Sequence, residues 1–262
     1  MIIDSWLVDD GRVVDFDAHV RRFATACGDM YGLDADQVRD FMLAGMADVP
    51  AAGRWFPRAE LTLTGDGGAP RLEFRLRPAP PPGRSVRLWI SDEPDARKHP
   101  AVKGPDLDWL AARRAAAIAA GADEAVLLDP DGRVLEGATT SILWWRGDTL
   151  CAPPEEGGVL PGTTRSFLLR VAADAGVPVA LEHALPADLS GLEVWAVNAL
   201  HGIRPVTGWL VGVGVGVGDV GAVGDGDRGG AAARVVAGPA SRASRWRAIL
   251  EGAAATVPGW IM

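Results

Sequence analysis

Apolar and polar residues change rhythm several times along the chain, and each change marks an element. The opening "IIDSWLV" reads as a strand closed by the turn "DDGR". "HVRRFATACGDMYG" then places apolar residues three and four apart, which predicts an amphipathic helix over about 17–32 that ends on glycine. A second short helix fits "DADQVRDFMLAGMADV". Two alternating stretches, "RAELTLTG" and "PRLEFRLRP", predict strands joined by Gly/Asp turn chemistry. The stiff run "PAPPPGR" precedes a further strand, "SVRLWISD", and a linker is expected near "SDEPDARKHP".

Beyond that point the alternation of helix and strand patterns is clearer. "DLDWLAARRAAAIAAG" is alanine-rich and helical, entered after Pro105 and closed by Gly121. "EAVLLD", the turn "PDGR" and "VLEGATTSILWW" predict a hairpin, continued after "RGD" by "TLCAPP". "PGTTRSFLLRVAADAG" predicts a helix starting at a glycine–threonine turn. "VPVALEHAL" and "EVWAVNAL" read as strands, "HGIRPV" as a tight connection, and "SRASRWRAILEG" as a closing helix whose arginines form a solvated face. The stretch 211–230, "VGVGVGVGDVGAVGDGDRGG", has glycine at nearly every second place. It reads as a flexible surface insertion, because such a segment has little side chain to pack. The mixed α/β pattern divides into a smaller N-terminal domain, 1–95, and a larger domain, 96–262, that includes the insertion.

Composition narrows the function. A length of 262 residues and 48% hydrophobic content supply material for a globular core. A net charge of −8 disfavours a nucleic-acid partner held by phosphate contacts. No apolar run reaches the length of a membrane span, and the N-terminus lacks the pattern of a signal peptide. Cys27 and Cys151 read as reduced buried thiols, no metal-ligand cluster is visible, and a cytoplasmic location is expected.

Among 26 basic residues only Lys98 and Lys103 are lysines. Arginine bias does not account for the exceptions, and imine formation with an aldehyde is one chemistry arginine cannot perform. "PGTTR" at a helix start offers free backbone N–H groups and the hydroxyls of Thr163 and Thr164 to an anion, although plain helix caps look the same.

Lys103, "VLEGATTSI" with Glu136, "LPGTTR" and "NALHGIRPV" follow one another in this order, and together they resemble the aminotransferase class IV family. The similarity runs over roughly 2–210 and is densest over 97–209. It implies a two-domain fold of the D-amino-acid aminotransferase type (fold-type IV), with pyridoxal 5′-phosphate between the domains. By this resemblance Lys103 forms the Schiff base and carries the proton, and Glu136 faces the pyridine nitrogen. Thr163, Thr164 and Arg22 of "HVRRF" hold the phosphate, while Arg21 points to solvent and His19 either braces the site or serves the core. Asn198 and the Ala199 backbone stand where aminotransferases carry a Gly-Thr pair.

That loop looks like the version found in 4-amino-4-deoxychorismate lyases. Ser5 aligns with a lyase threonine near the reacting substrate, and Leu107 stands where many relatives place a tyrosine. The expected reaction is conversion of 4-amino-4-deoxychorismate to 4-aminobenzoate and pyruvate. The alternative is a class IV aminotransferase acting on a D- or branched-chain amino acid. The expected partners are a small-molecule amino substrate and a second copy of the chain, since relatives are homodimers.

Overall fold

Two short pieces of strand replace the single opening strand that the hydropathy suggests: β1 (Ile2–Ser5) and β2 (Val8–Asp9), followed by β3 (Arg12–Val13). The computed structural model describes residues 1–65, 68–91, 93–211 and 235–257. Beyond Val211, the glycine–valine stretch expected to be a flexible insertion lies outside the described residues. Helix α1 (Phe16–Tyr31) buries Phe16, His19, Val20, Phe23, Ala24 and Cys27 along one stripe. Gly32, with φ 68°, takes the left-handed conformation that ends it. Helix α2 (Ala35–Ala47) is capped by the Asp34 carboxylate, which accepts from the Asp36 and Gln37 N–H groups. There follow β4 (Arg54–Trp55), β5 (Arg58–Leu63), β6 (Pro70–Arg75) and β7 (Val86–Ile90).

The remaining elements are α3 (Leu107–Ala119), β8 (Glu124–Leu128), β9 (Val134–Gly137), β10 (Ser141–Arg146), β11 (Thr149–Ala152), α4 (Thr163–Asp174), β12 (Val179–Leu181), β13 (Val194–Asn198), β14 (Gly202–Val211), α5 (Ala243–Gly252) and β15 (Ala255–Thr256). "HGIRPV" is not a mere connection: from Gly202 onward it belongs to β14, the ten-residue strand that joins β13 to β7. A turn shaped by Asn198 takes up only the residues before it.

Strand order explains where the site forms. β1, β5 and β6 make a three-stranded antiparallel sheet, and α1 and α2 cover one of its faces. The larger sheet runs β12-β11-β10-β13-β14-β7-β8-β9. Its last strand, β9, leads within three residues into β10, near the opposite end of the order, so the sheet must curl on itself. Leu88, Ile90, Val126, Ile142 and Ala196 fill the interior of this curl, and Trp145, Trp195 and Trp246 pack between its outer face and the helices α4 and α5. Each fully buried leucine or isoleucine contributes roughly 1.5–3 kcal/mol. β7, which the sequence places before the boundary at 95, is hydrogen-bonded within this larger sheet.

Two backbone contacts are among those that tie the N-terminal segment to the rest. The Ile3 N–H donates to the Lys103 carbonyl at 2.8 Å, and β15, near the C-terminus, pairs with β3. Of the arginines expected to form a solvated face here, Arg245 is exposed, but Arg247 within α5 and Arg242 at its N-cap have structural partners. Arg247 donates to the Ile203 carbonyl, and Arg242 lies over the Trp145 ring while pairing with Asp148.

Candidate active site

Lys103 sits on the segment between β7 and α3, and its position is set by an unusually close approach of two backbones. Gly104, with φ 140°, lies so near β1 that a Cβ there would come within 2.4 Å of the Met1 carbonyl oxygen. Only glycine fits both that conformation and that gap. The Lys103 side chain reaches a cavity also lined by Arg22, Glu136, Leu107, Thr139, Thr163, Thr164, Asn198 and Ala199. Burial and the nearby Arg22 guanidinium push its ammonium pKa down to about 8. A substantial fraction of the amine is therefore neutral near physiological pH, as a nucleophile or base must be.

Glu136, on β9, is buried rather than exposed at a hairpin. Its Oε1 accepts from Arg97 Nη1 at 2.6 Å and from the Leu160 N–H at 2.9 Å. Burial raises its pKa, opposed by Arg97. Arg97 in turn pairs with Asp95 and donates to the Gly158 carbonyl. The stretch read as a linker thus carries a site residue. No local signal marks Arg97 in a chain so rich in arginine.

The start of α4 forms an anion cup. Gly162 is its N-cap without a side-chain partner, leaving the N–H groups of Thr163 and Thr164 free of protein acceptors among the described residues. Gly162 packs against Ser141, where a Cβ would meet the Ser141 hydroxyl at 2.4 Å, which seats the helix start on β10. Arg22 reaches the cup from α1. Its Nε and Nη2 grip Asp4 at 2.8 and 2.9 Å, and Nη1 donates to the Pro161 carbonyl at 3.2 Å. One N–H on each terminal nitrogen is left for an anion. Asp4 lies beside Ser5, and no local pattern marks it as a site residue. Burial alone would raise its pKa, but Arg22 and His19 bring it down to about 2.

Asn198 lines the cavity, yet its amide already has work inside the protein. Its Oδ1 accepts from the Leu200 and His201 N–H groups, and its Nδ2 donates to the Thr139 carbonyl. It shapes the turn, and Ala199 next to it lines the cavity with an N–H that has no protein acceptor among the described residues. Ser5 does not line the cavity. It is buried on β1, where its Oγ accepts from Arg77 Nη2 at 3.3 Å. Arg21 is exposed, and Cys27 and Cys151 are free thiols in the core. No group of three or more His, Cys, Asp or Glu side chains among the described residues could hold a metal ion. No described helix is long and apolar enough to cross a membrane.

The arrangement fits pyridoxal 5′-phosphate. A nucleophilic amine, a buried carboxylate and an anion cup share one cavity, as aldehyde, ring nitrogen and phosphate require. A second, larger cavity meets the first at Thr163, Thr164, Asn198 and Ala199.

Comparison with known proteins agrees. The chain is 33% identical over 85 residues to the aminodeoxychorismate lyase of Bacillus subtilis, covering 32% of this chain and 29% of that protein. It is 33% identical over 94 residues to a probable branched-chain-amino-acid aminotransferase of Synechocystis, covering 34% and 30%. The matched stretches therefore span less than a third of these relatives. A hypothetical aminotransferase from Mycobacterium tuberculosis, solved with α-ketoglutarate and PMP, superposes with a TM-score of 0.76 at 19% identity over 96% of this chain and 88% of its own. The amino-transferase class IV pattern matches residues 1–209, and the chain belongs to that family.

Proposed function

We propose that this fold-type IV, pyridoxal 5′-phosphate-dependent enzyme is a lyase that converts 4-amino-4-deoxychorismate to 4-aminobenzoate and pyruvate. The observation that carries the reading is the Asn198–His201 turn. Here an asparagine folds its amide back onto the loop and only the Ala199 backbone is offered to the cup, where aminotransferases carry a Gly-Thr pair.

The cofactor, when bound, supplies an aldehyde for the substrate amine and a ring that accepts electrons. Arg22, Thr163, Thr164 and the Ala199 N–H hold its phosphate. Glu136, fixed by Arg97 and the Leu160 N–H, presents a carboxylate to the ring nitrogen. Lys103 Nζ, with its lowered pKa, takes the proton from C4 of the substrate as pyruvate departs. Aromatisation of the product ring drives the step, so no amino acceptor is needed. The enzyme acts as a cytoplasmic homodimer in this reading.

An aminotransferase acting on a branched-chain or D-amino acid is the second reading, favoured by the similarity to the Synechocystis protein. Incubating the loaded enzyme with single amino acids separates the two. The lyase keeps its pyridoxal absorbance, whereas conversion to the pyridoxamine form with release of a keto acid selects the aminotransferase.

A further inference from the structure

Three buried polar groups make a chain from β1 through α1 to the anion cup. Asp4 Oδ1 lies 2.8 Å from His19 Nδ1, and His19 Nε2 lies 3.3 Å from Thr163 Oγ1. All three residues are buried. The Asp4 carboxylate can only accept, so the imidazole carries its proton on Nδ1. Burial holds the His19 pKa down despite Asp4, with Arg22 and Lys103 acting in the same direction. Nε2 is then bare, and it accepts the Thr163 hydroxyl proton. That proton points away from the cup, and a hydroxyl lone pair faces the place an anion must occupy.

We propose that His19 is a positioning residue that takes up a proton when the cofactor phosphate enters the cup. One proton passes from solvent to Nε2. The new N–H donates to Thr163 Oγ1, and the hydroxyl turns its own proton toward the phosphate. No other bond is made or broken. The phosphate dianion and Asp4 flank the imidazolium and favour it. Arg22 on α1 and Lys103 before α3 oppose it, but both also face the incoming anion. Asp15, at the start of α1, is engaged by Arg21 and Arg170. The Cys27 thiol, pushed up to about 12 by burial and Asp4, stays neutral. Thr163 thereby serves as an acceptor in the empty cup and as a donor in the filled one.

The proposal rests on the cofactor reading, and one experiment keeps the two apart. The protein is labelled with 15N at histidine, and its four histidines are observed at pH 8 with and without pyridoxal 5′-phosphate. The His19→Gln spectrum assigns the signal. If that variant does not fold, His99→Gln, His183→Gln and His201→Gln assign it by elimination. Loading is verified separately by borohydride reduction onto Lys103. The expected result is a neutral His19 protonated on Nδ1 in the apoprotein, and both nitrogens protonated in the loaded protein. The loaded imidazole then releases its proton more than about 1.5 pH units higher, a change of more than roughly thirtyfold in proton affinity. Thr163→Val returns the loaded imidazole to the neutral form, which a merely structural histidine would not do. A neutral His19 in verified holoenzyme, or an imidazolium that persists in Thr163→Val, overturns this inference alone. A protein that takes up no cofactor overturns the cofactor reading with it.

Discussion

Lys103 is reactive because it is costly to charge. Burial beside Arg22 brings its pKa down to about 8, against an ordinary 10.5. Capture of pyridoxal 5′-phosphate by the apoprotein, followed by stopped-flow absorbance, is therefore expected to accelerate as pH rises from 7 to 9, with a midpoint about 8. The stability of the apoprotein should rise over the window from about 8 to 10.5, since there the unfolded chain binds the extra proton. Arg97 acts through Glu136. Arg97→Ala leaves a buried carboxylate without its counter-charge, and such a loss typically costs 3–5 kcal/mol, roughly. Urea unfolding measures this, and Arg97→Lys should recover part of it. Lys103 stands out as one of only two lysines and Glu136 by its apolar flanks, but the roles of both come from the resemblance to the family and not from those local signals. Arg97 and Asp4 were not legible, because their meaning lies in partners 39 and 18 residues away.

Elements were legible where a signal was sustained: the hydrophobic period of α1, the alanine-rich run of α3 and the continuous apolar run of β8. They were misread where a turn is encoded by a side-chain hydrogen bond. The "HGIRPV" stretch reads as a connection because Gly202 and Pro205 are turn residues, yet Ile203, Arg204, Pro205 and Val206 are buried one after another within β14. The short strands β2, β3, β4 and β15 carry only two residues each, too few to leave a period. Gly104 is where one atom decides the placing of an element. Gly104→Ala would force β1 away from the Lys103 segment at a strained φ, and a loss of more than about 1 kcal/mol is expected. Thermal unfolding reads the loss, and slower cofactor capture should accompany it. Unchanged stability would mean that the two backbones do not meet there.

At the scale of the molecule, the site depends on both units. The N-terminal sheet and α1 supply Asp4, His19 and Arg22, and the larger sheet and α4 supply Glu136, Thr163 and Thr164. Asp4 is the counter-ion at their junction. Its pKa falls from the ordinary 3.8 to about 2, so its contribution is fully present above pH 4 and is lost as pH falls toward 2. Asp4→Asn should flatten the acid limb of a stability-against-pH curve measured by urea midpoint. The family and the mixed α/β fold were legible in the order of four motifs, whereas the curl of the large sheet and the return of β15 to β3 were not. Both depend on pairings between strands far apart in the chain.

The most direct test of the account follows 4-aminobenzoate and pyruvate together as the loaded enzyme acts on 4-amino-4-deoxychorismate with no amino acceptor present. Equal amounts of the two products are expected from the wild type and none from Lys103→Ala. Release of neither product by fully loaded wild type, or equal release by Lys103→Ala, would contradict it.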